Sequence, residues 1–282
     1  ADGENITAIL PVHFAGQCDN PRAMSELAEL HGLTIIEDAC HALGTTYQDG
    51  GAEHRVGECA HSAMATFSFH PVKTIAMGEG GAVATNDESL ATRMREFRNH
   101  GMVRDPQRFV DTALALDSDG APQRWYYEMH EPGFNYRASS LHCALGQSQL
   151  AKLDRFVARR RELAGLYDQL LVPYAPEIRP PERAANCAPA WHLYAARFDF
   201  AALGLSRNAL MRALFDAGIG TQVHYIPVSQ QPYYRARYGA AHLPGTEAHY
   251  ASCLTLPLFP TMQDGDVERV VAAIGQATGL QR

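Results

Sequence analysis

Apolar and polar stretches alternate along the first hundred residues in the order of strands and helices. Residues 6–12 are apolar and β-branched, residues 21–30 repeat apolar side chains at helical spacing, and residues 33–36 are apolar again. Gly32 follows the helical stretch, where a helix commonly ends. A strand, a helix and a second strand form a βαβ unit, whose strands run parallel. The pattern therefore predicts an α/β sheet.

The α/β pattern continues toward the middle of the chain. Residues 63–69 and 80–85 predict two more strands, and residues 87–99 predict a helix that begins at Asn86 or Asp87. From residue 139 to residue 170 the spacing predicts one almost unbroken helix. Its apolar, core-facing side comprises Leu141, Leu145, Leu150, Leu153 and Phe156. The arginines at 159–161 are interpreted as a solvated face of this helix.

The C-terminal part of the chain has a different pattern. Residues 192–198 predict a strand, residues 206–217 a helix, and residues 254–259 a buried segment. We interpret this part as a smaller α+β domain. Two domains are predicted, residues 1–150 and residues 151–282.

Composition narrows the range of functions. The 282 residues include 24 Lys+Arg and 31 Asp+Glu, and the formal charge of −7 makes nucleic acid an unfavourable partner. Six cysteines lie far apart without a C-x-x-C pair, which favours a reducing, cytoplasmic location over a disulfide scaffold. No apolar run approaches the roughly 20 residues that span a bilayer, so no membrane association is predicted. The start of the chain, without Met, suggests a fragment of a longer protein.

Two residues stand where α/β proteins place their chemistry. Asp38 ends the second predicted strand, and ligands gather at the carboxyl ends of parallel strands. Lys73 lies just beyond another strand, in a Gly-rich segment. A lysine that binds an aldehyde cofactor needs an acidic partner for the cofactor's ring nitrogen, and Asp38 is a candidate. From local sequence alone, the competing interpretations are an exposed turn residue for Lys73 and a helix or loop cap for Asp38.

Five ordered motifs carry a resemblance to a known family. In them the chain resembles the DegT/DnrJ/StrS-type sugar aminotransferases that use pyridoxal phosphate, and the likeness extends over nearly the whole sequence. The motifs are residues 37–44 (EDACHALG), 67–73 (FSFHPVK), 79–81 (EGG), 98–101 (RNHG) and 133–137 (GFNYR).

The resemblance implies a fold-type I aminotransferase. Such an enzyme has a large domain around a mainly parallel central sheet and a small α+β C-terminal domain, and it works as a homodimer with active sites at the subunit interface. Relatives carry a further segment before the strand at residues 6–12, with a phosphate-binding helix start and an aromatic residue that stacks on the cofactor ring. The N-terminal part of the large domain is therefore expected to be missing from this chain.

The resemblance also implies a role for each matched residue. Lys73 matches the Schiff-base lysine, and Asp38 would pair with the pyridinium nitrogen of pyridoxal phosphate. His41 would lie near the cofactor ring and its 3-hydroxyl group, and Ser68 would bind the phosphate. Asn135 would reach across the dimer to the partner's phosphate. The competing interpretations are a buried structural histidine for His41, a backbone-bonded hydroxyl for Ser68 and a turn residue for Asn135.

A metal site is the less favoured interpretation of the histidines. His70 and His224 stand in motif-rich stretches, but no carboxylate or cysteine accompanies either at ligand-like spacing. No metal is predicted.

Closer motif matches suggest the substrate. Residues 11–17 (PVHFAGQ), 133–137, 144–150 (ALGQSQL) and 223–227 (VHYIP) resemble the branch that aminates a UDP-4-keto-6-deoxy-N-acetylhexosamine on the route to pseudaminic acid. The product would be UDP-4-amino-4,6-dideoxy-N-acetyl-β-L-altrosamine, with glutamate as the amino donor. The alternatives are a transaminase for a perosamine, bacillosamine or 4-amino-arabinose precursor, and an inactive truncated fragment of such an enzyme.

Overall fold

A computed structural model describes residues 6–18 and 20–280 of the chain. The strands within these residues are β1 Ala8–Ile9, β2 Thr34–Asp38, β3 Thr46–Asp49, β4 Ala52–Arg55, β5 Met64–Ser68, β6 Gly81–Ala84, β7 Met102–Val103, β8 Glu128–Met129, β9 Ile178–Arg179, β10 Cys187–Ala188, β11 Tyr194–Phe198 and β12 Cys253–Leu256. The α-helices are α1 Pro21–His31, α2 Glu88–Phe97, α3 Thr112–Ala115, α4 Ser140–Leu150, α5 Leu153–Leu171, α6 Arg207–Asp216, α7 Pro232–Tyr238, α8 Pro244–Ser252 and α9 Asp264–Thr278. In the part of the chain that the structure describes, no helix combines the length and apolarity needed to cross a membrane.

The central sheet is mixed and mostly parallel, with the strand order β1-β2-β5-β6. Strands β1, β2 and β5 run parallel, and β6 runs antiparallel to β5. This α/β architecture confirms the predicted fold class. The strand predicted at residues 6–12 is shorter than expected, since only Ala8–Ile9 pair as a strand and a single bridge then joins Val12 to Asp38.

The predicted end of α1 at Gly32 and the predicted start of α2 at Asp87 are confirmed. Helix α1 begins at Asn20, whose side chain accepts a hydrogen bond from the Ala23 N–H at 3.1 Å, and it ends at Gly32 with a left-handed φ of 64°. Helix α2 is capped by Asp87, whose carboxylate accepts the backbone N–H groups of Ser89 and Leu90. Gly32 therefore sets the end of α1, and Asp87 sets the start of α2.

The single long helix predicted from residue 139 to residue 170 is wrong. Helices α4 and α5 are separate, and a tight turn in which the Lys152 N–H bonds to the Gln149 carbonyl at 2.9 Å divides them. The expected core-facing side is wrong over α4 as well, because Leu141, Leu145 and Leu150 are all exposed. In the described residues nothing covers that side of α4, whereas α5 is packed into the C-terminal core.

The arginine run at residues 159–161 does not form a solvated face. Arg160 is only 4% exposed, and its guanidinium donates to backbone carbonyls inside the protein. Arg159 and Arg161 also donate to carbonyls, of Met262 and Pro189 respectively. The prediction failed because an arginine counts as polar in a pattern, while its long side chain can serve buried carbonyl groups.

The C-terminal part packs around a second, antiparallel sheet with the order β12-β11-β9. Helices α5, α6 and α9 cover this sheet, and the largest fully buried side chains of the described residues lie here, among them Trp191, Tyr167, Tyr194 and Phe198. The predicted buried segment at 254–259 is buried at Leu254, Leu256 and Leu258, but Phe259 is half exposed. The domain boundary at residues 150 and 151 stays a prediction.

Candidate active site

The candidate site lies at the ends of two neighbouring strands of the central sheet, β2 and β5. Asp38 is the last residue of β2 and pairs in register with Thr66 of β5, and β5 ends two residues later at Ser68. The chain then turns through residues 69–80, where Lys73 lies in an irregular loop held by a hydrogen bond from its N–H to the His70 carbonyl at 2.9 Å. Parallel strand ends thus bring the predicted lysine and carboxylate to the same edge of the sheet.

The environment of Lys73 disfavours its charged form. Burial lowers the pKa of Lys73 below its ordinary value of 10.5, while the nearby Cys40 and Asp38 act in the opposite direction. The Asp38 carboxylate accepts the Cys40 N–H at 3.1 Å, which holds the carboxylate near the lysine. A half-buried amine with a lowered pKa is a competent nucleophile and proton carrier.

His41 is buried beside this pair, with 8% of its surface exposed. Burial, together with the positive charge of Lys73, lowers its pKa to about 4. The backbone N–H of Ala15 donates to His41 Nδ1 at 3.3 Å. Since Nδ1 accepts, the neutral ring must carry its proton on Nε2, so His41 can donate one hydrogen bond from that atom.

A cleft of about 600 Å³ opens beside Lys73. Its opposite wall includes Arg160, His192, His224 and Tyr225. The ring centroids of His41 and His192 are 4.4 Å apart, and the Tyr225 hydroxyl lies 3.5 Å from His41 Nε2. The C-terminal part of the chain therefore supplies one side of the cleft, and the loop that carries Lys73 supplies the other.

Two predicted residues lie at the margin of this arrangement. Ser68 Oγ accepts the His70 N–H at a long 3.4 Å, so this hydroxyl keeps capacity for a further partner. Asn135 is exposed and forms a backbone bridge with Asn99, and among the described residues no contact joins its side chain to the cleft. The structure thus brings together Lys73, Asp38 and His41, and leaves Asn135 on the surface.

Sequence reasoning missed one wall of the site. Within residues 6–18 and 20–280 the Nδ1 atom of His192 and the Nε atom of Arg160 are buried without a hydrogen-bond partner. The sequence pattern places His192 in a predicted strand and Arg160 on a predicted solvated helix face. A histidine directly before an apolar strand was the one local signal of a functional position. His224, considered as a metal ligand, instead bonds Thr255 Oγ1 through Nδ1 at 2.8 Å.

No group of three or more His, Cys, Asp and Glu side chains in the described part of the chain is arranged to hold a metal ion. That none is needed stays a prediction.

Comparisons with known proteins identify the relatives. Residues 3–275 match the model of the DegT/DnrJ/EryC1/StrS aminotransferase family. Helicobacter pylori PseC, an aminotransferase involved in the biosynthesis of pseudoaminic acid, is 28% identical, with a TM-score of 0.84 over 97% of this chain and 67% of that one. DesV of S. venezuelae is 32% identical, with a TM-score of 0.78 over 98% of this chain and 66% of that one. DesI, solved in the presence of its TDP-sugar product, is 26% identical, with a TM-score of 0.80 over 99% and 64%. The chain therefore spans about two thirds of the length of these structures.

Proposed function

Because the chain belongs to the DegT/DnrJ/EryC1/StrS aminotransferase family, we propose that Lys73 is its cofactor-binding lysine and that the protein aminates a nucleotide sugar. Sugar aminotransferases of this family use pyridoxal phosphate. The observation that carries the proposal is the position of Lys73, whose pKa is lowered by burial, within electrostatic range of Asp38 at the carboxyl edge of the sheet.

The residues present fit this cofactor. An aldehyde requires an amine that loses its proton readily, and Lys73 is such an amine. A pyridine nitrogen that must stay protonated requires a carboxylate, and the Asp38 side chain has acceptor capacity beyond its bonds to the Cys40 N–H and thiol. When bound, pyridoxal phosphate supplies an electron-withdrawing ring that tolerates negative charge on the carbon that loses a proton.

The side chains of the chain divide the remaining work. Lys73 would hold the cofactor through its Nζ, and the same amine would take up and return a proton at the reacting carbon. Asp38 would accept a hydrogen bond from the ring nitrogen of the cofactor and keep that nitrogen cationic. His41 would donate from Nε2 to the ring oxygen, since Nδ1 is occupied by the Ala15 N–H.

The phosphate contacts belong to the proposal as well. Ser68 ends β5 close to the Lys73 loop, and its hydroxyl donates to the cofactor phosphate. Asn135 serves the partner's site in a homodimer, which agrees with its exposed position away from the cleft of its own chain.

We propose glutamate as the amino donor and a UDP-4-keto-6-deoxy-N-acetylhexosamine as the acceptor, on the route to pseudaminic acid. The similarity to PseC at a TM-score of 0.84 supports this substrate. DesV has the higher identity, 32%, and DesI was solved with a TDP-sugar, so a 4-keto sugar on another nucleotide is the competing acceptor. A catalytically incomplete chain is the third possibility, because the relatives are half as long again.

A cytoplasmic location is part of the proposal. The six cysteines lie far apart in the sequence without a C-x-x-C pair, and this suits a reducing compartment.

The test combines spectroscopy with mass spectrometry. We expect the chain mixed with pyridoxal phosphate to gain an absorbance band, and borohydride to fix an adduct on the peptide that contains Lys73. Lys73→Ala should lose both signals and keep its circular dichroism spectrum. An adduct on another lysine contradicts the role of Lys73. A folded chain with no adduct, compared with a longer chain that forms one, supports the incomplete-chain alternative.

The substrate is then decided by the second half-reaction. Enzyme first converted with glutamate is offered matched UDP- and TDP-linked 4-keto-6-deoxy sugars, and the recovery of the absorbance band is followed. We expect recovery with the UDP-N-acetylhexosamine. Faster recovery with the TDP sugar would replace the proposed acceptor.

A further inference from the structure

Arg160 is a buried cation whose visible partners are all backbone carbonyls. It projects from the middle of α5, and Nη1 donates to the carbonyls of Trp191, His192 and Leu258 at 3.1, 3.2 and 2.9 Å. Burial lowers its pKa to about 10, and no carboxylate of the described residues forms an ion pair with it. The guanidinium thus joins two segments that are far apart in sequence, one before β11 and one after β12.

One of those segments leads directly to His41. The N–H of His192 donates to the Ala15 carbonyl at 3.0 Å, and the N–H of Ala15 donates to His41 Nδ1 at 3.3 Å. The His192 ring also packs against the His41 ring, with 4.4 Å between centroids. Arg160, His192, Ala15 and His41 therefore form one continuous series of contacts.

The backbone segments around this series of contacts are closely packed. A Cβ atom at Gly16 would lie 2.9 Å from the His41 carbonyl oxygen and 3.0 Å from the Trp191 nitrogen, so three segments meet at closest approach. Thr45 ties them together, because its hydroxyl donates to the Gly16 carbonyl at 2.6 Å and accepts the Ala190 N–H at 3.0 Å. A shift of the segment at 190–192 must therefore change the position of His41.

We infer that Arg160 is a positioning residue that holds His192 and Ala15 against His41, and thereby fixes the direction of the His41 Nε2–H toward Tyr225, which lines the cleft. The consequence for catalysis rests on the proposed function, in which His41 faces the cofactor ring. The position of His41 that Arg160 fixes does not depend on the proposed function, because it concerns contacts within this chain. Without the guanidinium, three carbonyls lose their donor, and the segment that carries His192 can move away from His41.

The first test follows His41 itself in the chain without cofactor. Nitrogen-15 NMR of labelled histidine reports both its tautomer and its pKa. In the parent chain we expect one tautomer, protonated on Nε2. In Arg160→Met we expect mixed tautomers and a pKa raised by about one unit, because the ring gains water. The charged and titratable groups facing His41 are Lys73, Asp38, His192, His224 and Tyr225, and none of them is altered by the substitution.

A matched control stands on the same helix. Arg155 is exposed and lies over the ring of its neighbour Phe156 at 5.5 Å, so Arg155→Met removes the same charge without touching the series of contacts. Hydrogen exchange should rise at residues 190–193 and 257–260 in Arg160→Met and stay unchanged in Arg155→Met. Unchanged His41 signals in folded Arg160→Met overturn the inference.

Two further variants keep the test decisive if Arg160→Met does not fold. Arg160→Lys keeps the charge but not the planar fork, and it should show the same changes at reduced size. His192→Ala keeps both backbone bonds and removes only the ring, so it should raise the His41 pKa without loosening residues 257–260. If neither variant moves the His41 signals, Arg160 has a purely structural role.

Cofactor binding separates this inference from the proposed function. With the proposed function correct, Arg160→Met should still form the borohydride-stable adduct on Lys73, but with cofactor affinity weakened about tenfold. If no variant and no parent chain forms the adduct, the proposed function fails while the His41 signals still decide the role of Arg160.

Discussion

Glu37 and Asp38 are consecutive carboxylates at the end of one strand, and their surroundings differ sharply. Successive side chains of a strand point to opposite faces of the sheet. Glu37 is 6% exposed, and its oxygens contact His13 Nε2 at 2.7 Å and the Ser62 hydroxyl. Asp38 is half-buried near Lys73, and its side chain is bound only by the adjacent Cys40, through the Cys40 N–H and thiol.

The comparison separates a structural carboxylate from a chemical one. Burial by itself would raise the pKa of Glu37, but the hydrogen bonds from His13 and Ser62 lower it below its ordinary value of 4.5. Both of its oxygens are engaged, so Glu37 has little capacity for a ligand. Asp38 keeps that capacity and lies within electrostatic range of a lysine whose pKa is lowered. Glu37 and Asp38 are both carboxylates and are adjacent in the sequence, so it is their different hydrogen-bond partners that separate their roles.

The largest expected effect is that of Asp38→Asn on turnover. An amide cannot keep the cofactor ring nitrogen protonated, so we expect the rate of amino transfer from glutamate to fall about 100- to 1,000-fold. The midpoint of thermal unfolding should change little, because Asp38 makes few contacts with protein groups. Single-turnover absorbance kinetics, with calorimetry on the same samples, measures both quantities. A variant with near-normal turnover would remove Asp38 from the mechanism.

Glu37→Gln should give the opposite result. Removing one charge from a buried, hydrogen-bonded pair leaves His13 and Ser62 poorly matched, and we expect the free energy of unfolding to fall by about 3 kcal/mol. Turnover of the folded fraction at low temperature should stay within a few-fold of the parent value. Urea unfolding checks the first statement, and the same kinetic assay checks the second.

The pH dependence of unfolding provides an internal check on Glu37. Its folded-state pKa is lowered, so the stability that it contributes is present above pH 4.5 and is lost as the pH falls through the folded-state value. The parent chain should therefore lose stability below pH 4.5 more steeply than Glu37→Gln. Parallel curves for the two proteins would mean that Glu37 is not the stabilising carboxylate.

The contrast also shows which parts of the site a sequence can reveal. Lys73 and Asp38 follow predicted strands, and parallel strands end at one edge, so a local pattern was enough to bring them together. The helix end at Gly32 and the cap at Asp87 are predicted locally in the same sense. Asn135 cannot be judged from one chain, because its predicted partner belongs to a second copy.

The wall of the cleft that contains Arg160 could not be predicted from local sequence patterns. Arg160 bonds to carbonyls 31, 32 and 98 residues away, and backbone carbonyls leave no mark in a sequence. The break between α4 and α5 at residues 151 and 152 contains neither Gly nor Pro, so no residue there marks the end of a helix. Both features depend on tertiary packing, which overrides local propensity.

The smallest expected effect concerns the pKa of Lys73, and it compares the influence of Glu37 and Asp38 most directly. Burial lowers the pKa of Lys73, whereas Asp38 raises it, so Asp38→Asn removes a negative charge and should lower that pKa further, by less than about one unit. Reductive methylation with a small neutral aldehyde, quantified by mass spectrometry of the Lys73 peptide across pH, measures the midpoint without any cofactor. Glu37→Gln is the matched control, because its carboxylate is not among the groups that shift the pKa of Lys73. A lower midpoint in Asp38→Asn alone would show that only one of the two adjacent carboxylates acts on the lysine. Equal shifts in both variants would mean that the sheet does not separate their charges.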